Sequence, residues 1–178
     1  MGLEPLVIPS HFDESLLDAG AFASPAAYAQ ESARCKAMDV AQRMQRDARP
    51  FDYVVGSDTV VVLEGGRVLE KPADEGAAFE MLSLLSGATH TVVTGVAVYV
   101  SGSGELRTFY EETRVRFAEL SKEEIWAYIR TGEPMDKAGA YGIQGLGGML
   151  VQRLEGDFFC VMGFPMHRFA AIVAEMID

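Results

Sequence analysis

Apolar residues recur along this chain with two different periods, one typical of strands and one typical of helices. β-Branched residues are concentrated in three runs, which predict buried strands at residues 53–55, 59–63 and 92–100. A fourth strand is predicted at residues 108–117, where charged residues alternate with Thr113, Val115 and Phe117. Gly65-Gly66 predicts a tight hairpin turn, and a second turn is predicted at residues 101–104.

Helices are predicted between these strands, from helical spacing and from signals at their ends. The first helix should run to about Arg46. Ser24 before Pro25 predicts the start of this helix, and Gly87 predicts the end of the second. Ser121 with Glu124 forms a capping box that opens the third, and Pro165 opens the last. Strands, hairpins and helices follow one another without strict alternation. The sequence therefore predicts an α/β or α+β fold, of which we favour α/β, with a mixed β-sheet and flanking helices in one domain over residues 1–178.

Composition and charge exclude several classes of partner. Fifteen Lys and Arg against 26 Asp and Glu give a formal net charge of −11, which argues against nucleic-acid polymers as partners. No apolar stretch approaches the ~20 residues of a membrane span, and no secretory signal opens the chain. Cys35 and Cys160 are too few for a disulfide framework. We therefore expect a protein of the reducing cytoplasm.

Common catalytic motifs are absent from the sequence. There is no P-loop, no dinucleotide-binding G-x-G-x-x-G after a strand, and no G-x-S-x-G elbow. The three histidines lack the spacing of a zinc site.

Candidate catalytic and ligand-binding residues lie in three polar segments. Asp58, in Gly-Ser-Asp-Thr before an apolar run, could be a general base or a metal ligand held at the edge of a strand. A turn or capping aspartate is the alternative, and taken alone the residue favours it. Lys71 could reach a phosphate, although a solvated turn lysine is commoner. The glycine-rich loop 131–145 favours a ligand site; the alternative is a long surface loop whose charges pair with one another. Its polar residues are Glu133, Asp136, Lys137 and Gln144.

Six strings in these and neighbouring segments carry a family resemblance. In order they are GSDTVV, LEKP, MLSLLSG, HTVVTGV, GEPMDKAGAYGIQG and GDFFCVMGFP. Together they closely resemble the Maf family of septum-formation-inhibitor-like nucleotide pyrophosphatases, from about Pro9 to the C-terminus. FYEETRVRFAELS, and GFP in place of the commoner GLP, resemble its eukaryotic branch.

The resemblance implies a fold similar to inosine triphosphate pyrophosphatases, with a cleft between two lobes. It also implies cytoplasmic hydrolysis of nucleoside triphosphates to the monophosphate and pyrophosphate, with Mg²⁺ or Mn²⁺ as cofactor and a homodimer as the assembly. By motif, Asp58 matches the catalytic base, and Lys36 and Lys71 match phosphate-binding lysines. Glu14 matches an acidic residue at the end of the family's second strand, where it could hold the metal with Asp58.

Thr59 and Gln144 match the positions that mark the branch acting on dTTP and UTP. The Gln144 amide offers the donor and the acceptor that a uracil or thymine edge requires. Glu133, Asp136 and Lys137 lie within the signature as possible site residues without an assigned role.

One departure concerns the beginning of the chain. The family opens with a strand and a turn reading roughly S-x-S-P-R-R, whereas this sequence starts with MGLEP, where we expect the family's second strand. Loss of the arginine would weaken triphosphate binding, so slower hydrolysis and lower stability are expected than with that segment present. A non-catalytic nucleotide-binding or septation-related regulatory module is therefore the alternative function.

Overall fold

Five strands form one sheet in the computed structural model, which describes residues 5–177. The strands are β1 (Tyr53–Val62), β2 (Val68–Leu69), β3 (Thr89–Val100), β4 (Leu106–Phe117) and β5 (Val151–Glu155). Their order across the sheet is β2-β1-β3-β4-β5, and every pairing is antiparallel. The sheet of the described residues is thus antiparallel rather than mixed. Hairpins join β1 to β2 and β3 to β4, so each of these strands returns beside the previous one.

Helices cover both faces of the sheet, which confirms the predicted α/β class. They are α1 (Pro25–Arg46), α2 (Glu75–Leu85), α3 (Lys122–Ile129), α4 (Phe158–Met162) and α5 (Met166–Ile177). Among residues 5–177, no helix is long and apolar enough to cross a membrane.

Helix α1 lies very close to strands β1 and β3. It begins where predicted, because the Ser24 side chain accepts a hydrogen bond from the Ala27 N–H and Pro25 occupies the first turn. A Cβ added to Gly95 would lie 2.3 Å from the Ala29 carbonyl carbon, and one added to Gly56 would lie 2.4 Å from the Ala33 oxygen. Glycine on the strands and alanine on the helix therefore allow a backbone approach that larger residues would prevent.

The opposite face carries the largest apolar cluster. Val61, Val92, Val115 and Phe117 of the sheet pack there against buried residues of α2 and α3, and Tyr141 of the following loop joins them. Helix α5 packs beside this cluster through Phe169, Ile172 and Met176, its predicted inward-facing residues, and the fourth, Val173, is partly buried. The site described below lies at the outer edge of β1, between these two layers.

The structure corrects three further predictions. Residues 53–62 form one continuous strand, so Asp58 lies in the middle of β1 and neither ends a strand nor caps a turn. Residues 5–13 form no strand, and Glu14 begins the 3₁₀ helix Glu14–Leu16 instead of ending a strand. Residues 1–4, where the family's second strand was expected to begin, lie outside the described residues. The segment predicted as a glycine-rich loop over residues 131–145 contains two short 3₁₀ helices, Glu133–Asp136 and Ala138–Ala140.

Candidate active site

Two adjoining cavities open along the outer edge of β1, with volumes of about 280 and 740 Å³. Asp58, Thr59, Lys71 and Ala138 line both of them. The predicted site residues found only in the smaller cavity are Lys36, Asp136, Lys137 and Gln144, and the one found only in the larger cavity is Glu14. Residues that are far apart in the sequence therefore converge at one edge of the sheet.

The free edge of β1 explains how consecutive residues reach the same cavities. Side chains of Asp58 and Thr59 leave opposite faces of the strand. Strand β2 pairs only with Val61 and Val62 of β1, so within residues 5–177 no strand covers the edge at Asp58 and Thr59. A ligand lying across this edge could touch both faces of the sheet.

Lys36 joins two carboxylates at the α1 face. Its Nζ lies 2.6 Å from Asp58 Oδ1 and 2.9 Å from Glu14 Oε2. The Asp58 side chain is only 10% exposed, whereas that of Glu14 is 43% exposed. The close packing of α1 on the sheet positions Lys36 for these contacts, and the resemblance alone had pointed to Lys36 and Glu14.

Burial and the ion pair act in opposite directions on Asp58 and Lys36. Burial raises the pKa of Asp58, and the attraction of Lys36 offsets this only in part. Burial would lower the pKa of Lys36, but Asp58 and Glu14 outweigh it and the net direction is upward. At neutral pH the pair is therefore a carboxylate facing an ammonium, and the carboxylate is a stronger base than an exposed aspartate.

The larger cavity brings further charged groups near the pair. Tyr28 donates a hydrogen bond of 3.0 Å from its hydroxyl to Glu70, next to Lys71, and Arg67 lines the same cavity. Burial, followed by the contact with Glu70, raises the pKa of Tyr28, so it remains a neutral donor. No sequence signal distinguishes Tyr28, because its alanine-flanked position in α1 resembles that of any core tyrosine.

Residues 131–145, which we call the signature loop, close the smaller cavity. Lys137 Nζ lies 2.7 Å from Asp136 Oδ1, and Gln144 is exposed at the cavity rim. Gly139 has a φ of +65° and packs against Val61, where a Cβ would lie 2.8 Å from a side-chain carbon. The loop thus needs glycine at this point to lie against β1.

Glu133 does not line either cavity, although the signature had suggested a site residue. Its carboxylate accepts hydrogen bonds from the Leu146 N–H at 2.9 Å, the Gly147 N–H at 3.0 Å and the Tyr128 hydroxyl at 2.8 Å. Burial would raise the pKa of Glu133, but these donors lower it below its ordinary value. The Tyr128 oxygen also accepts from the Gly142 N–H at 3.1 Å. We call Glu133 and Tyr128 the loop clamp, because they shape the segment that carries Gln144.

Two hydroxyl groups lie on the other face of β1. Thr59 Oγ1 is 2.8 Å from Thr94 Oγ1, whose hydroxyl donates to the Cys160 carbonyl at 2.7 Å. Ser57 Oγ lies 2.8 Å from the Gly163 oxygen and lines the smaller cavity. Neither residue was among the predicted site residues: Ser57 adjoins Asp58, which was the candidate there, and Thr94 lies in a run rich in valine.

The carboxylates could also hold a divalent cation. Asp58 and Glu14 supply hard oxygen ligands on two sides of one ammonium group, so a cation is already favoured between them. Residues 5–177 contain no group of three or more His, Cys, Asp or Glu side chains that could hold a metal by themselves. A cation that keeps several waters and also binds phosphate oxygens, as Mg²⁺ does, fits a pair of carboxylates.

The fold and the site define an α/β protein whose cavities present a buried carboxylate and several lysines to an anionic ligand. A family model described as Maf-like protein matches residues 1–176. The chain belongs to the Maf family.

Three similar proteins have been named by activity. The probable bifunctional dTTP/UTP pyrophosphatase/methyltransferase protein of Homo sapiens is 51% identical over 98% of this chain, but this chain spans only 29% of that protein. The dTTP/UTP pyrophosphatase of Thermococcus kodakarensis is 46% identical, covering 90% of this chain and 79% of the relative. That of Clostridium novyi is 44% identical, covering 96% of this chain and 85% of the relative.

Proposed function

We propose that this protein is a nucleoside triphosphate pyrophosphatase that hydrolyses dTTP and UTP to the monophosphate and pyrophosphate. The observation that carries the proposal is the buried Asp58 carboxylate, paired with Lys36 at a cavity that Lys71 and Gln144 also line. The names of relatives that cover most of this chain support the same reaction.

Asp58 would act as the general base that takes a proton from the attacking water. Its raised pKa favours proton transfer, and its place at the open strand edge lets water and phosphate approach together. Lys36 would keep Asp58 ionised and would stabilise negative charge that develops on the phosphoryl oxygens.

Lys71 and Lys137 would neutralise the rest of the triphosphate. Lys137 lines the smaller cavity and Lys71 lines both, so a triphosphate along the edge of β1 would lie near both lysines. Lys137 Nζ lies 2.7 Å from Asp136, but Asp136 is largely exposed and such a pair is weak, so a phosphate could replace Asp136 as the partner of Lys137.

We further propose that Asp58 and Glu14 hold Mg²⁺ or Mn²⁺ during the reaction. When bound, such a cation would neutralise phosphate charge and orient the water. The structure supports the proposal through the two oxygen ligands that flank Lys36.

Gln144 and Thr59 would recognise the base. Both line the smaller cavity, and the Thr59 side chain leaves the opposite face of β1 from Asp58 and its partner Lys36, so a base held there would lie apart from phosphates bound at Lys36. An amide beside a hydroxyl can match the carbonyl and N–H of a uracil or thymine edge.

We also propose that the protein acts in the cytoplasm and that it is a homodimer. Two unpaired cysteines fit a reducing compartment. Phe158, Phe159, Met162 and Met166 are exposed near one another in sequence, on and after α4, and could form part of a subunit contact.

The test is pyrophosphate release from a panel of dTTP, UTP, CTP, ATP and GTP, with Mg²⁺, with Mn²⁺ and with a chelator. We expect metal-dependent release that is fastest with dTTP and UTP. Binding of nucleotides without release under any condition would favour the non-catalytic module and contradict the proposal.

A further inference from the structure

Three polar residues form one stripe along helix α1 beside the cavities. Tyr28, Ser32 and Lys36 are spaced four residues apart, so they lie on the same side of the helix. Lys36 contacts Asp58, and the Tyr28 hydroxyl donates to Glu70, so the residues at both ends of the stripe reach the site. Ser32 lies between them and therefore faces the same part of β1.

Helix α1 lies directly against the sheet at this point. Asp58 pairs across the sheet with Gly95, and a Cβ added to Gly95 would lie 2.3 Å from the Ala29 carbonyl carbon. Ser32 follows Ala29 by just under one turn of helix, and it is fully buried. The Ser32 side chain is thus enclosed between the helix and the face of β1 that carries Asp58.

The Ser32 hydroxyl is buried without a hydrogen bond. A helical serine can donate to the carbonyl four residues earlier, but within residues 5–177 the Ser32 oxygen has no hydrogen-bond partner. Buried polar groups rarely lack a partner, so this one calls for an explanation. Burial raises the pKa of Asp58, and Lys36 and more weakly the Ser32 hydroxyl act against this rise, so the hydroxyl lies near the carboxylate.

The proposed reaction gives Lys36 two partners in turn. Its Nζ lies 2.6 Å from Asp58, and it would also stabilise charge on the phosphoryl oxygens. An ammonium group that turns toward a phosphate lengthens its contact with Asp58. A buried carboxylate without a donor is unfavourable and loosely oriented, so Asp58 needs a second donor at that moment.

We infer that Ser32 is a positioning residue that donates a hydrogen bond to the Asp58 carboxylate when Lys36 turns toward the phosphates of a bound nucleotide. The inference rests on the proposed function and adds how Asp58 stays oriented during the reaction. A hydrogen bond to a charged acceptor is stronger than one between neutral groups. A serine hydroxyl also rotates freely, so it can follow the carboxylate without movement of α1.

Kinetics of Ser32→Ala test this role. The variant removes the hydroxyl and keeps a residue that favours a helix. Ser32 lines neither cavity, so we expect kcat for UTP to fall about tenfold or more while KM changes less than about twofold. Ser32→Thr keeps the hydroxyl and should restore most of kcat.

Ser83→Ala is the matched control for the kinetics. Ser83 is an exposed helical serine of α2 whose hydroxyl donates to the Phe79 carbonyl, and it lines neither cavity. We expect it to keep the wild-type kcat and KM. An unchanged kcat in Ser32→Ala, or a loss that Ser32→Thr does not reverse, would overturn the inference.

Urea denaturation tests the same contact without turnover. Lys36→Met removes the present donor, so Ser32 should then be the hydrogen-bond donor to Asp58. We expect Ser32→Ala to raise the unfolding equilibrium constant about tenfold or more in Lys36→Met, and to change it less than about threefold in the wild type. Equal effects in the two backgrounds would overturn the inference, whereas absence of pyrophosphate release by the wild type would count against the proposed function alone.

Discussion

Lys36 is shared between a buried carboxylate and an exposed one, and this unequal sharing shapes the chemistry of Asp58. The contact with Asp58 is the shorter and the less solvated of the two. Removing one member of a buried ion pair commonly costs about 3–5 kcal/mol, because the other charge stays buried. Variants at Lys36 therefore combine loss of stability with loss of function, and tests of the mechanism are cleaner at other residues.

Gln144 is such a residue, because it is exposed at the cavity rim. Gln144→Glu replaces an amide by a carboxylate that can only accept, which would repel the O4 oxygen of uracil or thymine. We expect kcat/KM for UTP and dTTP to fall at least tenfold more than for purine nucleotides. Equal losses for all bases, measured by pyrophosphate release, would show that Gln144 does not read the base.

At the scale of elements, two local arrangements place the site: the loop clamp and the close approach of α1 to the sheet. The clamp fixes residues 142–147, and α1 carries Lys36 to Asp58. Each can be disturbed without touching a residue proposed to contact the nucleotide.

Glu133→Gln tests the loop clamp. The amide nitrogen would face an N–H or hydroxyl donor where a carboxylate oxygen now accepts, at a cost of about 1–3 kcal/mol. We expect KM for UTP to rise several-fold with little change in kcat, and faster amide exchange at Leu146 and Gly147. Glu123→Gln, at an exposed position in α3, is the control and should behave like the wild type. A fall in kcat alone would argue against the clamp.

Gly95→Ala tests the approach of α1. The new Cβ would lie 2.3 Å from the Ala29 backbone, so the helix must move, at a cost of about 1–3 kcal/mol. We expect a lower melting temperature and slower turnover, because Lys36 moves with the helix. Gly102→Ala is the control, since nothing lies within 4 Å of its added Cβ. Equal melting temperatures for the two variants would contradict this account of the packing.

Elements with local signals could be predicted from the sequence, and elements set by tertiary pairing could not. The capping box of Ser121 and Glu124 and the start of α1 are determined within a few residues, and both were confirmed. Strand β1 was divided in two because Gly56 and Asp58 have low strand propensity, which pairing with β3 overrides. The short β5 and α4 were missed, since β5 is defined by its pairing with β4 and α4 is a single turn or so.

The site residues likewise divide into those with a local sequence signal and those without one. Segments with unusual composition, around Asp58, Lys71 and the signature loop, were found from the residues. Lys36 and Glu14 came only from the resemblance, since a charged residue on a helix or near a turn has no distinguishing pattern. The contact between Thr59 and Thr94 joins residues 35 positions apart, so no local pattern indicates it.

At the scale of the whole molecule, a buried histidine links stability to pH. His90 is 2% exposed, its Nε2 lies 2.8 Å from the Tyr141 hydroxyl, and burial lowers its pKa to about 4. The unfolded chain, with a pKa near 6.5, binds the proton first as pH falls. Stability from the neutral histidine is therefore complete above pH ~6.5 and lost progressively down to pH ~4.

We predict that this linkage lowers the free energy of unfolding by about 2 kcal/mol between pH 7 and pH 5. His90→Phe removes the titrating group and keeps an aromatic ring beside Phe117 and Tyr141, so its loss over this range should be smaller by that amount. Urea denaturation at the two pH values measures both. His167→Phe, at an exposed site, should retain the wild-type loss. Identical pH dependence in wild type and His90→Phe would rule out His90 as its source.

The central claim, that Asp58 is the base of a nucleotide pyrophosphatase, is tested most directly by pyrophosphate release from UTP by Asp58→Asn. The amide is nearly isosteric but cannot take a proton, so we predict that kcat falls about 10²–10⁴-fold while the protein still melts cooperatively. Asp39→Asn is the control. Asp39 is a carboxylate in α1 that is ion-paired with Arg43, but it lines neither cavity. Wild-type release by a folded Asp58→Asn variant would contradict the account.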